Sequence, residues 1–197
     1  MSRGRSRAVV LGALMALTFA LLGSAAFSAS PASAVPAPVQ IDLAGAGGSG
    51  FLPDSYGNGG GLVDTKPAGR IALDNWGPTV THPIPADIWH TARYLESSYR
   101  VTDLAPGNYQ VRLYFEDWYF TRTGQRIFDV AINGTKVLTD FDIIGTAVAK
   151  GADGGAVFGV EKFFPVTVDA SGVISIDFLR GKENQPQASA IVIVPTD

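Results

Sequence analysis

The chain has 197 residues, with 15 Lys and Arg against 18 Asp and Glu, two His and no Cys. That length holds one domain or two small ones, and the lack of Cys excludes disulfides, thiol redox chemistry, Cys nucleophiles and zinc ribbons. Two His leave little room for a His-based metal site, and a net charge of −3 offers no basic footprint for nucleic acid.

Arg3, Arg5 and Arg7 precede an apolar run from Ala8 to Leu22, and Ala32-Ser33-Ala34 forms an A-x-A site. This pattern predicts a secretory signal peptide over 1–34, cleaved after Ala34, with 35–197 as one mature domain. The rival reading is an uncleaved membrane anchor. Ser and Ala dilute the end of the apolar run, and the A-x-A site is well placed, so cleavage is preferred. No second run of spanning length follows. All the acidic residues and all but three of the basic ones lie beyond residue 34. The mature chain is therefore expected to be acidic and secreted, either extracellular or associated with the cell envelope.

Beyond residue 35, strand signals dominate. Val39 to Leu43 reads as a first strand. Gly45-Ala46-Gly47-Gly48-Ser49-Gly50 then matches G-x-G-x-x-G. A dinucleotide site needs a helix after the third glycine, and Phe51-Leu52-Pro53-Asp54 does not open one. The expectation is a turning loop. Residues 57–85 hold many Gly and Pro and few alternating apolar positions. They are expected to form a long excursion with one short strand at most. Tyr109, Val111, Leu113 and Phe115 alternate with Gln110, Arg112, Tyr114 and Glu116, the period of a half-buried strand. Phe128, Val130 and Ile132 share one face of the next, and Asn133-Gly134 suits a tight hairpin to a strand at 136–138. Further strands are expected at 165–168, 173–178 and 190–194. No segment carries a helical period over three turns. Short strands parted by Gly, Pro and Asx turns predict an all-β fold, a jelly-roll-like antiparallel β-sandwich.

Few residues read as catalytic. Glu116 and Asp117 are adjacent, and adjacent strand residues point to opposite faces. They do not easily form the facing carboxylate pair of a glycosidase, and Glu96 is only a distant candidate partner. The reading preferred is that one of the two pairs with Arg93 or Arg126. His82 and His90 flank a Pro-rich stretch and are read as surface or hydrogen-bonding residues. Asp140-x-Asp142 supplies too few carboxylates to specify calcium. No G-x-S-x-G elbow is present. No cofactor and no catalytic residue is assigned.

The aromatics are more informative. Trp118-Tyr119-Phe120 follows the strand that starts at Tyr109. Three consecutive side chains cannot share one core, so at least one faces outward or lies on the loop beyond. Such a cluster could stack on a sugar ring, or it could edge the hydrophobic core. Tyr94 and Tyr56 are further amphipathic candidates, each with a flat apolar body and a polar tip.

Several stretches line up in order: Ile41-Asp42-Leu43-Ala44-Gly45-Ala46-Gly47-Gly48, Asp54-x-Tyr56-x-x-Gly59-Gly60 and Ile88-Trp89-His90-Thr91-Ala92-Arg93-Tyr94. Pro106-Gly107-x-Tyr109-x-Val111-Arg112-Leu113-x-Phe115-Glu116 and Gly124-Gln125-Arg126-x-Phe128-Asp129-Val130-x-Ile132-Asn133-Gly134 follow, then Phe141-Asp142-Ile143 and Ser189-Ala190-Ile191. Together they resemble the malectin and malectin-like carbohydrate-binding family over nearly all of 38–195. The 57–85 region matches poorly. The resemblance implies a sandwich with a sugar site on loops at one end. By position it implies ligand-binding roles for Tyr94, Tyr119 and Phe120. Asn184 stands where the family has an aspartate. A further tyrosine falls at Tyr56 or, with a different gap, at Trp76, and Tyr56 is preferred for its Asp-x-Tyr context.

The resulting expectation is a secreted, non-catalytic module that binds an oligosaccharide or polysaccharide, with glucose-containing sugars among the candidates. The alternative is a structural or protein-interaction module of the cell envelope without a sugar site. A glycoside hydrolase is a third, less favoured reading.

Overall fold

The alternation of Tyr109, Val111, Leu113 and Phe115 becomes strand β4 (Gly107–Phe115), which buries this set against the core. The computed structural model describes residues 38–64, 79–152 and 157–196, all within one compact unit, Ala32–Asp197. The expected signal peptide and Trp76 lie outside the described residues.

β4 is flanked on one side by β10 (Ala190–Pro195) and on the other by β7 (Val160–Val168), both antiparallel. β1 (Val39–Asp42) pairs with the far side of β10, which completes the sheet β1-β10-β4-β7. The second sheet runs β2 (Gly57–Asp64), β3 (Thr91–Val101), β8 (Ile174–Glu183), β5 (Ile127–Ile132) and β6 (Thr135–Phe141). A two-residue strand, β9 (Gln187–Ala188), pairs with the first half of β3, and β8 with the second. The two sheets form an antiparallel β-sandwich, as the period-two pattern predicts.

Between the sheets lie Val111, Leu113, Ile191 and Ile193 from one side and Val130, Ile132, Ile174 and Ile176 from the other. At one end the core turns aromatic. The Phe115 ring lies 4.8 Å from Phe141, 5.9 Å from Phe128 and 6.3 Å from Phe178. The chain changes sheets at Ser189, between β9 and β10. Its N–H donates to Tyr114 O at 2.8 Å and its carbonyl accepts from Leu43 N at 3.0 Å. Ser189 is fully buried, and a small residue suits a crossing through the packed interior.

The Asn133-Gly134 turn has φ of 49° and 75°, the two positive values that a tight hairpin from β5 to β6 requires. The loop after β1 turns back so that Leu52 N donates to Gln40 O and Asp42 N to Leu52 O. The Gly45–Gly50 stretch is thus a reversal beside the first strand, with no helix behind it. The single described α-helix, α1 (Ile143–Ala149), is capped by the Asp142 carboxylate, which accepts from Gly145 N at 2.8 Å. Two turns are too short to announce a helical period.

Three elements differ from expectation. β2 occupies eight residues of the Gly-rich stretch, longer than the short strand expected there. β3 is the longest described strand, with 11 residues, yet carries no simple alternation. β7 begins at Val160, five residues before the expected start. A five-residue 3-10 turn, Ala86–His90, leads into β3 and buries Ile88 and Trp89.

Candidate functional site

β4 ends at Phe115, and the chain then turns on the side chain of Asp117. One carboxylate oxygen of Asp117 accepts from both Tyr119 N and Phe120 N at 3.0 Å. This local closure sets the direction of the three aromatics. Trp118 is 6% exposed while Tyr119 is 65% exposed. The outward-facing aromatic expected here is therefore Tyr119.

The other carboxylate oxygen of Asp117 accepts from Arg126 Nε at 2.7 Å, and the pair is buried. Of the two arginines weighed as partners, Arg126 takes Asp117, while Arg93 pairs with Asp54 and donates to Tyr99 Oη. The Arg126 guanidinium carbon lies 5.3 Å from the centroid of Tyr94 and 5.1 Å from that of Phe120. A cation between two ring faces is attracted to both, more strongly where water is excluded. Arg126 Nη1 also donates to Gln185 O at 2.7 Å. One side chain thus ties the turn after β4, the strand β3 and the loop after β8 together.

That loop carries Asn184, whose φ of 59° is a left-handed conformation that Asn tolerates. Asn184 Oδ1 accepts from the Tyr94 hydroxyl at 2.9 Å and from Gln185 N at 2.8 Å. Leu95 N donates to Pro186 O at 3.1 Å, which holds the same loop against β3. Gln187, buried in β9, donates its amide to Glu116 O at 2.6 Å.

These residues enclose a pocket of about 320 Å³ lined by Tyr94, Trp118, Tyr119, Arg126, Asn184, Val63 and Gln187. The volume is of the size that holds a small ligand. Most of the wall is aromatic or aliphatic. The polar part comes from the Asn184 amide, the Tyr94 hydroxyl, Gln187 and Arg126.

Of the expected site residues, Tyr94, Tyr119 and Asn184 line this pocket, although they lie far apart in sequence. Phe120 stands beside it, with its ring 4.9 Å from Tyr119 in an edge-to-face arrangement and stacked on Arg126. Tyr56 is not brought to the pocket. It precedes β2, has a φ of 63°, packs half-buried against the core and accepts Arg100 N on its carbonyl, near the far end of β3 from Tyr94. Val63 and Gln187 carry no signal of the site in the sequence, and Trp118 is legible only as a member of the aromatic cluster. Arg126 appeared in the Gly-Gln-Arg motif, but nothing local indicated that it would touch Tyr94.

The remaining candidates have other roles. Glu116 is fully buried. Glu96 accepts from Arg180 N at 3.1 Å. His82 Nδ1 lies 2.6 Å from the Glu161 carboxylate. Asp140 pairs with Lys182, and Asp142 caps α1 and accepts Gly124 N at 2.6 Å. Among the described residues no group of three His, Cys, Asp or Glu side chains comes together as a metal site. No described helix is long and apolar enough to cross a membrane.

The malectin domain model matches residues 55–191. Among curated relatives, Malectin-B of Xenopus laevis is 24% identical over 131 residues, covering 58% of this chain and 44% of the relative. Malectin of Homo sapiens is 27% identical over 131 residues, covering 58% and 41%. The chain thus spans less than half the length of these relatives. Among solved structures, the ANXUR1 extracellular domain from Arabidopsis thaliana superposes with a TM-score of 0.64 at 20% identity, over 81% of this chain and 48% of that one. A chain in the crystal structure of plant peptide RALF23 in complex with FER and LLG2 gives 0.65 at 14% identity, over 81% and 48%. Both likenesses speak to the fold. The match of the family model across most of the chain, over strands that build the pocket, shows that the chain belongs to the malectin domain family.

Proposed function

We propose that this protein is an exported, non-catalytic carbohydrate-binding module whose ligand is an oligosaccharide seated in the pocket of Tyr94, Tyr119 and Asn184. One observation carries this reading: three side chains expected from the sequence to bind sugar are gathered from three chain segments around a single pocket of about 320 Å³. The exposed ring of Tyr119 offers a stacking surface, and the Asn184 amide and Tyr94 hydroxyl in the same pocket orient what stacks there. A flat apolar surface with a few fixed polar groups is the usual construction of such a site. Membership in the malectin family supports the same ligand class.

Hydrolysis is disfavoured by the placement of the carboxylates. Asp117 is consumed by Arg126 and two backbone N–H groups, Glu116 is buried, and neither lines the pocket. A glycosidase needs two carboxyl groups facing each other across the sugar. The second reading, a protein- or peptide-binding module of the cell envelope, draws on the likeness to a chain in the RALF23 complex.

The test is a glycan array on the purified protein, with hits measured by calorimetry against Tyr119→Ala/Phe120→Ala. The expected result is binding that the folded double variant loses. Retained binding would move the site elsewhere. Silence across the array would favour a protein partner.

A further inference from the structure

The two polar atoms of the Asn184 amide are not equivalent. Its oxygen accepts from the Tyr94 hydroxyl at 2.9 Å and from the backbone N–H of Gln185 at 2.8 Å. A backbone N–H can only donate, so the atom facing it must be the carbonyl oxygen. The amide NH₂ makes no hydrogen bond among the described residues, and Asn184 is an exposed part of the pocket wall. Beside it stands Arg126. A guanidinium has five N–H groups. Asp117 and Gln185 O engage three of those of Arg126. The Asn184 NH₂ is thus a donor left for a ligand in the pocket wall, and among the described residues no carboxylate lines the pocket. Its one cation already has an anionic partner in Asp117. Val63, Trp118 and Tyr119 supply apolar surface within the same pocket.

We infer that the sugar unit seated here carries an acetamido group, that is, an N-acetylhexosamine. An acetamido carbonyl is an uncharged acceptor that matches the Asn184 amide, and its methyl group matches the apolar wall. A uronate would also bring an acceptor, but its charge would be desolvated beside a cation that is already paired. A sugar bearing only hydroxyls offers the Asn184 amide weaker acceptors than an amide carbonyl and has no methyl for the apolar wall. This inference rests on the reading of the pocket as a sugar site and names the class of sugar.

The test compares, by calorimetry on the purified protein, the trimer of N-acetylglucosamine with the glucose trimer of the same linkage. The two differ only in acetamido for hydroxyl. The expected result is at least about tenfold tighter binding of the acetylated trimer, the size of effect a well-formed hydrogen bond carries. Asn184→Asp provides the second arm. A carboxylate there still accepts from Tyr94 and Gln185 N–H, so the loop is retained, but the donor facing the ligand becomes an acceptor. The variant is expected to lose about tenfold or more of the preference for the acetylated over the glucose trimer. Equal or tighter binding of the glucose trimer overturns this inference and leaves the sugar site standing. So does an Asn184→Asp protein with unchanged preference, or, when neither trimer binds, binding of a glycan that carries no N-acetylhexosamine. Silence toward every glycan overturns both readings.

Discussion

Asp117 and Arg126 form an ion pair at 2.7 Å in which the two side chains are 1% and 2% exposed. Asp117 also holds the backbone of Tyr119 and Phe120, and Arg126, whose guanidinium lies over the rings of Tyr94 and Phe120, also holds Gln185 O. Stability and pocket shape therefore depend on the same two side chains.

Removing one partner leaves the other charge buried and alone, which typically costs about 3–5 kcal/mol. Asp117→Ala is expected to lose stability of that order in urea unfolding. It is also expected to weaken ligand binding, because the turn that presents Tyr119 loses its two backbone hydrogen bonds.

Trp118 and Tyr119 are neighbours with opposite expected behaviour. Trp118 is buried, and truncation of a buried large aromatic costs about 3–5 kcal/mol. Tyr119 is largely exposed, and a surface change of that kind usually stays within about 0.5 kcal/mol. Thermal unfolding of Trp118→Ala and Tyr119→Ala should separate them clearly, with binding lost in Tyr119→Ala despite its intact fold. A Tyr119→Ala protein as unstable as Trp118→Ala would show that Tyr119 belongs to the core.

Glu161 predicts a pH dependence. Burial alone raises the pKa of its carboxyl. Hydrogen bonds from His82 N, Thr81 N, the Thr81 hydroxyl and the His82 ring outweigh burial and lower it below the usual value. A group whose pKa is depressed on folding contributes stability above its unfolded value, about 4.3 for Glu. That contribution is lost as pH falls through the folded value. The stability difference between wild type and Glu161→Gln is therefore expected to shrink as pH falls below about 4.3. Denaturant titrations at several pH values measure it.

Gly181 lies in β8, before the loop that carries Asn184. A Cβ there would sit 2.4 Å from Ile127 O and 2.6 Å from Phe128 Cα, both backbone atoms that cannot swing aside. Gly181→Ala is expected to force β8 from β5 and to cost about 1–3 kcal/mol, as overpacking usually does. The same shift moves the Asn184 loop, so a weaker affinity should accompany the lower unfolding temperature.

The strands legible in the sequence are those whose two faces meet different surroundings. β4 alternates because one face meets the core and the other does not, and Asn133-Gly134 marks the β5–β6 hairpin because few other residues adopt two positive φ values cheaply. β3 was illegible for a physical reason. Ala92 is buried at an even position, but Ser97, Tyr99 and Val101 are buried at odd ones. The phase changes across Leu95, whose φ is 79°, where the pairing with β2 slips between Gly59 and Gly61. A bulge of this kind erases the period by which a strand is recognised. β2 offers four glycines and so almost no side-chain pattern at all.

The site divides the same way. Legible in the sequence are that three adjacent aromatics cannot all enter one core, since neighbouring side chains diverge, and that one of Glu116 and Asp117 pairs with Arg93 or Arg126. The fold adds that Asp117 is the one paired with Arg126, that Tyr119 is the ring turned outward, that Tyr56 stays away from the pocket, and that Tyr94 meets Asn184 at 2.9 Å across 90 residues of chain. Local alternation is written in neighbouring residues, but that contact depends on how β3 leaves β8 at its bulge and takes up β9. Strand pairing between distant segments has no signature in either segment alone.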